Sequence, residues 1–218
     1  MTAPGGTTVE GPAGSSRGDR ARVLGLRRSP ANGLEHEMLR GSCAAVQLRE
    51  VPFLTQVAIR ATPGRDGTLA EVLGLDLPSR VGHVSGGADG RGQAVLWLSP
   101  DEFLAVGPDE ADTGVSPEAY ARELAEALGS EPGQVVDVSA NRTTLELSGA
   151  RARSVLEKSC ELDLHPRVFP VGAAVATLLG STGVILWRTG EETWRVMPRA
   201  SFTTHVVRWL LDGMREYR

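Results

Sequence analysis

The sequence predicts an α+β protein made of two copies of a strand-helix-hairpin-helix unit that share antiparallel sheets. Three observations support this class. The chain has 218 residues of which 41 % are apolar, short strand-like segments alternate with amphipathic helices, and two stretches of the chain resemble each other. A unit of two helices on an antiparallel sheet buries its apolar face poorly alone, so we expect the two units to close a shared core.

The internal similarity has a nearly constant offset. Leu75-Asp76-Leu77 corresponds to Leu162-Asp163-Leu164, 87 positions later, and Val95-Leu96-Trp97 corresponds to Ile185-Leu186-Trp187, 90 positions later. The two offsets, 87 and 90, differ by three residues, which one short difference in loop length between the repeats explains. The repeats are therefore placed at about 44–129 and 134–214, within a single domain spanning residues 41–218.

The first 40 residues have a different composition, rich in Gly, Pro, Ser, Thr and Arg. Such a segment cannot bury enough apolar surface to offset its ordering entropy, so residues 1–40 are predicted to be a mobile arm. The arm is either a tail without function or a segment that orders on a partner. Its possible apolar anchors are Val23, Leu24, Leu26, Leu34, Met38 and Leu39.

In the first repeat, turn and cap residues delimit the predicted elements. Ser99-Pro100-Asp101-Glu102 is typical of a hairpin turn, and Ser116 followed by Pro117 is typical of a helix start. Gly74 is expected to stop a short helix that Asp66 caps. The predicted elements are strands at 44–51, 53–61, 93–98 and 103–106, helices around 67–73 and at 117–128, and a glycine-rich surface loop at 82–92.

The second repeat follows the same order. Strands are predicted at 135–138, 143–147, 173–178, 183–187 and 193–197, and Ser148 is expected to cap a short helix. The strongest helix of the chain is predicted over 200–214. Its inward-facing residues are predicted to be Phe202, Val206, Val207, Trp209, Leu210 and Leu211.

Composition argues against several classes of partner. The net charge is −4, which offers no excess of positive charge for a nucleic acid. No apolar run approaches the roughly 18 residues that a membrane span needs, and the first 34 residues lack the apolar stretch of a signal peptide. Cys43 and Cys160 cannot by themselves form a disulfide framework or a zinc site. We therefore expect a cytoplasmic protein with reduced thiols, without nucleic-acid or membrane partners.

The sequence contains no self-evident active site. The glycines of 82–92 do not fit a dinucleotide-binding loop, there is no nucleophile elbow, and the four histidines, His36, His83, His165 and His205, stand far apart. Asp137 follows a strand and is either a catalytic acid or, several times more commonly in such a position, the cap of a turn. No catalytic, cofactor-binding or metal-binding residue is assigned.

A family resemblance adds what these patterns lack. Residues 136–149 with Ala152 and Leu156 resemble the D-x-S, L-x-L-x-G-x-x-A-x-x-x-L stretch of the folate-binding aminomethyltransferase superfamily. Within it, residues 48–57, 99–104 and 141–218 are similar to the gamma subunits of heterotetrameric sarcosine oxidases. The resemblance implies an aminomethyltransferase-like fold over about four fifths of the chain.

The resemblance also implies a function. Such complexes oxidatively demethylate sarcosine to glycine, release hydrogen peroxide and pass the one-carbon unit to tetrahydrofolate. FAD, FMN, NAD, tetrahydrofolate and zinc are implied for the partner subunits, and this chain would be a non-catalytic subunit docked on alpha, alongside beta and delta. Trp187 and Trp194 would serve this interface or the internal core.

A stand-alone folate-binding one-carbon transfer protein is the alternative. In the resembling family an acidic residue holds the pterin, and Asp163 is the candidate for that role here. Its counterpart in the other repeat, Asp76, lies in the same Leu-Asp-Leu pattern. That repetition favours a structural turn at Asp163 over a ligand site.

Overall fold

Two five-stranded antiparallel sheets form the centre of the molecule, as shown by a computed structural model that describes residues 22–63 and 67–218. The strands are β1 (Gln47–Glu50), β2 (Leu54–Arg60), β3 (Val84–Gly86), β4 (Ala94–Ser99), β5 (Glu102–Asp109), β6 (Gln134–Asp137), β7 (Leu145–Ser148), β8 (Ala174–Leu179), β9 (Thr182–Gly190) and β10 (Thr193–Pro198). Sheet A has the order β1-β7-β10-β9-β8 and sheet B the order β3-β4-β5-β2-β6. The predicted α+β class with antiparallel sheets is confirmed.

Helices connect the strands along the chain. They are α1 (Glu35–Gly41), α2 (Thr68–Leu73), α3 (Glu110–Thr113), α4 (Pro117–Leu128), α5 (Ala152–Glu157) and α6 (Thr203–Met214). Short 3₁₀ turns occupy Asn32–Leu34, Ala200–Phe202 and Arg215–Tyr217.

The two sheets are related by the predicted repeat, with one exchange of strands. By the repeat order, β1 and β2 of the first copy correspond to β6 and β7 of the second. However, β1 pairs with β7 in sheet A, and β6 pairs with β2 in sheet B. Each repeat thus donates its first strand to the sheet of the other, so neither sheet is complete without both repeats.

Three apolar clusters fill the layers. One lies between sheet A and helices α1, α5 and α6, and another lies between sheet B and helices α2 and α4. The third occupies the inter-sheet space, where side chains of β4 and β5 meet side chains of β8, β9 and β10. The layers are therefore helix, sheet, sheet, helix, and the two repeats share the inter-sheet core.

Local signals placed two of the predicted helix ends as expected. The Oγ of Ser116 accepts a hydrogen bond from the Ala119 amide at 3.2 Å, and Gly74 ends α2 in the left-handed region at a φ of 64°. The predicted cap Asp66 lies outside the described residues. The Ser148 cap is wrong, because Ser148 is part of β7 and α5 begins at Ala152.

Two features of the glycine-rich stretch and of α6 differ from expectation. Residues 84–86 of the predicted surface loop form β3, which pairs with β4 at the edge of sheet B. In the C-terminal helix region, Phe202 and Trp209 were predicted to face inward but are 47 % and 46 % exposed. The buried stripe of α6 is complete without them, since Val206, Val207, Leu210, Leu211 and Met214 fill it.

The boundary of the N-terminal arm is also corrected. Residues 32–41 are helical, and Ala31, Leu34 and Met38 are buried in the cluster beneath sheet A. Their apolar side chains, spaced three and four residues apart, provide the burial that the composition of the whole segment did not suggest. Residues 1–21 lie outside the described part of the chain, so the mobile arm stays a prediction there.

Residues 22–31, here called the strap, connect the two sheets. Arg27 donates two hydrogen bonds to the carboxylate of Asp109, at 2.9 and 2.8 Å, at the end of β5 in sheet B. The guanidinium carbon of Arg27 lies 4.2 Å from the centroid of the Phe53 ring. The backbone of Phe53 has a φ of 59°, which is unusual for a residue other than glycine. Ser29 and the amide of Ala31 donate to the carboxylate of Glu50 in β1 of sheet A.

The half-buried carboxyl of Glu50 gives the stability of the protein a defined pH dependence. Burial raises the pKa of Glu50 above its ordinary value of 4.5, against the hydrogen bonds from Ser29 and Ala31, which lower it. A carboxyl with a raised folded pKa binds its proton more tightly when folded. Its contribution to stability is therefore present below pH 4.5 and is lost as the pH rises through the folded value.

We expect Glu50→Gln to remove the contribution of this carboxyl to stability. The free energy of unfolding of the variant should therefore fall less than that of the wild type as the pH rises from 4.5. Urea unfolding over a pH series measures the difference. Glu37→Gln is the control of opposite sign, because the hydrogen bond from Arg208 lowers the pKa of Glu37. Parallel profiles for wild type and Glu50→Gln would contradict the expectation.

Candidate interaction surfaces

The two aspartates considered as functional acids both cap turns. Asp137 accepts hydrogen bonds from the amide and the hydroxyl of Ser139, at 2.9 and 2.6 Å, which confirms the turn-capping interpretation. Asp163 accepts from the amide of His165 at 2.9 Å and is exposed, as is its counterpart Asp76. Both carboxylates of the repeated Leu-Asp-Leu pattern therefore lie in similar exposed positions after a short helix.

The part of the chain that the structure describes contains no group of side chains placed to bind a metal ion, and both cysteines are free. No three His, Cys, Asp or Glu side chains among residues 22–63 and 67–218 are placed to hold a metal ion. Cys43 and Cys160 are free thiols, and the sulfur of Cys43 lies 3.2 Å from the carbonyl oxygen of Tyr217.

Both tryptophans of the second hairpin belong to the core. Trp187 lies in the inter-sheet cluster, and Trp194 lies on the opposite face of sheet A, with its ring centroid 5.4 Å from that of Phe169. Their burial settles the open choice in favour of the internal core. Neither ring is exposed as an apolar anchor for a partner.

An exposed apolar stripe runs along the outer side of the last helix, and we call Phe202, His205 and Trp209 the C-terminal face. Their spacing of three and four residues puts them on one side of α6 and its preceding turn. The His205 and Trp209 rings lie 5.8 Å apart, and the indole nitrogen of Trp209 donates to the Ser159 hydroxyl at 2.9 Å. This bond fixes a large aromatic ring on the surface.

Charged residues border the C-terminal face. Arg208 donates two hydrogen bonds to the carboxylate of Glu37 on α1, at 3.3 and 3.2 Å, and Arg215 pairs with Asp212 at 2.9 Å. An apolar centre with a charged border is the usual anatomy of a protein–protein interface. The face therefore has the composition of a docking surface.

The outer side of the equivalent helix provides a comparison within the same molecule. Helix α4 occupies in the first repeat the place that α6 occupies in the second, and its exposed side includes Glu118, Arg122, Glu123 and Glu126. These four side chains are charged, so this side of α4 is a typical solvent-exposed helix surface. The aromatic residues are therefore specific to the second repeat and are not required by the fold.

A second group of exposed apolar residues lies on the strap and α1. Val23, Leu26 and Leu39 from the set of possible anchors are exposed, whereas Leu34 and Met38 from the same set are buried. Phe202 and Trp209 were missed as surface residues. The sequence signal that could have found them is that α6 carries more apolar residues than one helical stripe can hold.

No helix among the described residues is long and apolar enough to serve as a membrane-spanning segment.

Comparison with solved structures places the fold. A chain of the heterotetrameric sarcosine oxidase from Corynebacterium sp. U-96 is 50 % identical, with a TM-score of 0.80, and the match covers 88 % of this chain and 96 % of that chain. The glycine cleavage system aminomethyltransferase T from Bartonella henselae is 16 % identical with a TM-score of 0.56, over 82 % of this chain and 48 % of that chain. The second likeness shows the aminomethyltransferase-like fold alone.

Sequence comparisons give the family. Sarcosine oxidase subunit gamma from an Arthrobacter species is 55 % identical, and the protein of that name from Corynebacterium sp. strain P-1 is 54 % identical, both over 88 % of this chain and 92 % of the relative. A profile of the sarcosine oxidase gamma subunit family matches residues 59–216. The chain therefore belongs to the sarcosine oxidase gamma subunit family.

Proposed function

We propose that this chain is the non-catalytic gamma subunit of a cytoplasmic heterotetrameric sarcosine oxidase. The observation that carries the proposal is the 50 % identity, at a TM-score of 0.80, with a chain of a heterotetrameric sarcosine oxidase. The complex would demethylate sarcosine to glycine, release hydrogen peroxide and transfer the one-carbon unit to tetrahydrofolate. The role of this chain would be assembly.

The proposal assigns FAD, FMN, NAD, tetrahydrofolate and zinc to the partner subunits. Side chains of both repeats pack together in the inter-sheet space, and Asp163, the candidate pterin ligand, accepts the amide of its own turn. The turn contact of Asp163 supports a structural role for the residue that was the candidate pterin ligand.

We further propose that the C-terminal face docks on the alpha subunit. Tryptophan is among the residues that most often dominate interface energies, and Trp209 is held in place by Ser159 before any partner arrives. The ordered ring loses little conformational freedom on binding. The charged border formed by Arg208, Glu37 and Asp212 would then set the orientation of the partner.

The test is assembly of the four co-expressed subunits, with the double variant Phe202→Ser/Trp209→Ser in this chain. Because truncation of an aromatic anchor costs about 2 kcal/mol or more, we expect the affinity for the partner to fall by about 30-fold or more. The measurement is capture of the complex on a tagged alpha subunit across a concentration series.

The matched control is Val115→Ser, an equally exposed apolar residue in the loop before α4. The control should assemble like the wild type, and both variants should keep the unfolding free energy of the wild type. Unchanged assembly of the double variant would place the interface elsewhere. Failure of the wild-type chain to join the complex would reject the gamma-subunit role itself.

A further inference from the structure

One row of side chains crosses each sheet on the face that looks toward the other sheet. In sheet B the strand register aligns five apolar residues in this row. They are Val136, Ala58, Leu104, Leu96 and Val84. In sheet A the equivalent row contains two arginines and a glutamate. Its members are Arg49, Glu146, Arg195, Trp187 and Ala174.

The equivalence of the two rows follows from the hairpins. Leu96 pairs with Leu104 across the first hairpin and Trp187 pairs with Arg195 across the second, each pair lying eight residues apart in the chain. Both hairpins carry a register shift next to the turn. The offset of 90 predicted for this hairpin is therefore wrong by one residue, because Leu96 and Trp187, 91 positions apart, both face the inter-sheet space, whereas Leu186 packs on the helix side of sheet A. The fold therefore accepts a leucine at the place where the second repeat has Arg195.

Arg195 is buried and forms no ion pair among the described residues, although the negative charges of Glu146 and Asp89 act to raise its pKa. The side chain belongs to a residue that is 7 % exposed, and its Nε has no hydrogen-bond acceptor in the part of the chain that the structure describes. Glu146, its neighbour in the row, accepts instead from the Nε and Nη2 of Arg49, at 2.9 and 2.6 Å. Burial lowers the pKa of Arg195, which reflects the cost of keeping the cation away from water.

A second unpaired donor lies beside this guanidinium. The Nε1 of Trp187 is also buried and has no acceptor among residues 22–63 and 67–218. The Cζ atom of Arg195 lies 5.0 Å from the centroid of the Trp187 ring. Two neighbouring N–H groups without acceptors are rare inside native proteins, where buried polar groups are nearly always bonded.

The glycine-rich connection between β3 and β4 covers this place. A Cβ at Gly90 would lie 2.9 Å from the Cζ of Arg195 and 2.9 Å from a methyl group of Thr189, so the backbone packs directly on the guanidinium. The φ of Gly90 is +77°, a region that glycine adopts without strain. The neighbouring Asp89 is exposed and accepts the amide of Arg91 at 3.0 Å.

We infer that Arg195 and Trp187 form a receptor for a carboxylate, located beneath the connection of residues 86–92. A carboxylate offers two acceptor oxygens and one negative charge. It would therefore satisfy the arginine, neutralise its charge and supply the acceptor that the indole lacks. The carboxylate belongs either to an acidic side chain of a neighbouring subunit or to a small molecule.

The test compares Arg195→Leu, which installs the residue of the other repeat, with Arg188→Leu. Arg188 is also buried, but each of its three guanidinium nitrogens donates a hydrogen bond, to the carbonyl oxygens of Phe169, Gly190 and Glu191. Because Arg195 lacks such bonds, we expect Arg195→Leu to keep or raise the unfolding free energy of the full chain, whereas Arg188→Leu lowers it.

Two assays identify the source of the carboxylate. Acetate is titrated against the full chain with tryptophan fluorescence as readout and chloride at equal ionic strength as control. A saturable response that Arg195→Leu weakens at least tenfold supports a small carboxylate. If acetate has no effect, an at least tenfold loss of affinity in the four-subunit assembly of Arg195→Leu supports an acidic side chain of a partner.

Three results would overturn the inference. The first is loss of stability in Arg195→Leu equal to that in Arg188→Leu. The second is absence of any effect in both the acetate and the assembly assays. The third is that Asp89→Asn lowers the unfolding free energy and that adding Arg195→Leu to it causes no further change. In that case the acceptor of Arg195 would be the carboxylate of Asp89 in the same chain.

Discussion

Trp194→Ala should lower the free energy of unfolding by about 3–5 kcal/mol, as buried tryptophan-to-alanine changes generally do. Trp194 is 1 % exposed and packs between sheet A and its helices, close to Phe169 and Arg188. Its removal leaves a cavity that strands β7 and β9, paired to both sides of β10, prevent from collapsing. The indole nitrogen has no acceptor among the described residues, so the loss is one of packing.

Urea unfolding followed by circular dichroism measures this difference. Trp194→Phe should cost less than the alanine change, because it leaves a smaller cavity and breaks no hydrogen bond. Trp209→Ala, at the exposed tryptophan of α6, is the matched control and should change the unfolding free energy little. A loss below 1 kcal/mol for Trp194→Ala would place this tryptophan outside the core (roughly the range of surface substitutions).

The elements that were predicted well are those whose signals are local. The hairpin around Ser99–Glu102 and the start of α4 at Ser116-Pro117 depend on turn and capping residues that act within four positions. The internal repeat was also visible, because equivalent hairpins and helices need similar residues. Local chemistry and repetition therefore suffice for the class of the fold.

The features that were missed depend on contacts between distant segments. The exchange of β1 and β6 between the sheets follows from pairing across about 100 residues for β1 with β7 and about 75 to 80 for β2 with β6, which no local pattern encodes. The burial of Trp187, which the sequence left open, and the exposure of Trp209 depend on which face of each element meets a second layer. The buried Arg195 could be noticed only when the register of both sheets was known.

The asymmetry between the repeats also explains why composition gave no functional site. In the first repeat the inter-sheet row is apolar and the outer helix side is charged, which is what a stable fold requires. In the second repeat Arg195 replaces a leucine in the row, and Phe202 and Trp209 lie on the outer side. The residues that we propose to bind a ligand or a partner are therefore residues at which the two repeats differ, and no motif marks them.

Deletion of residues 1–34 should lower the free energy of unfolding by about 3 kcal/mol or more, the range expected when a buried leucine and its neighbours are lost. The deletion removes Ala31 and Leu34 from the core and the bonds of Arg27 to Asp109. It also removes the donors Ser29 and Ala31 from Glu50, whose carboxylate would then bond to water. The two sheets would lose the strap that joins them.

Deletion of residues 1–21 is the matched control, because every bond of the strap described above begins at Arg27 or later. We expect this shorter deletion to keep the unfolding free energy of the full chain, and urea titrations of the three proteins measure both effects. Assembly of the shorter deletion with its partner subunits then tests the N-terminal segment separately from stability. Equal stability of the two truncated chains would contradict the role given to the strap, whereas weakened assembly of the shorter one would assign residues 1–21 to the interface.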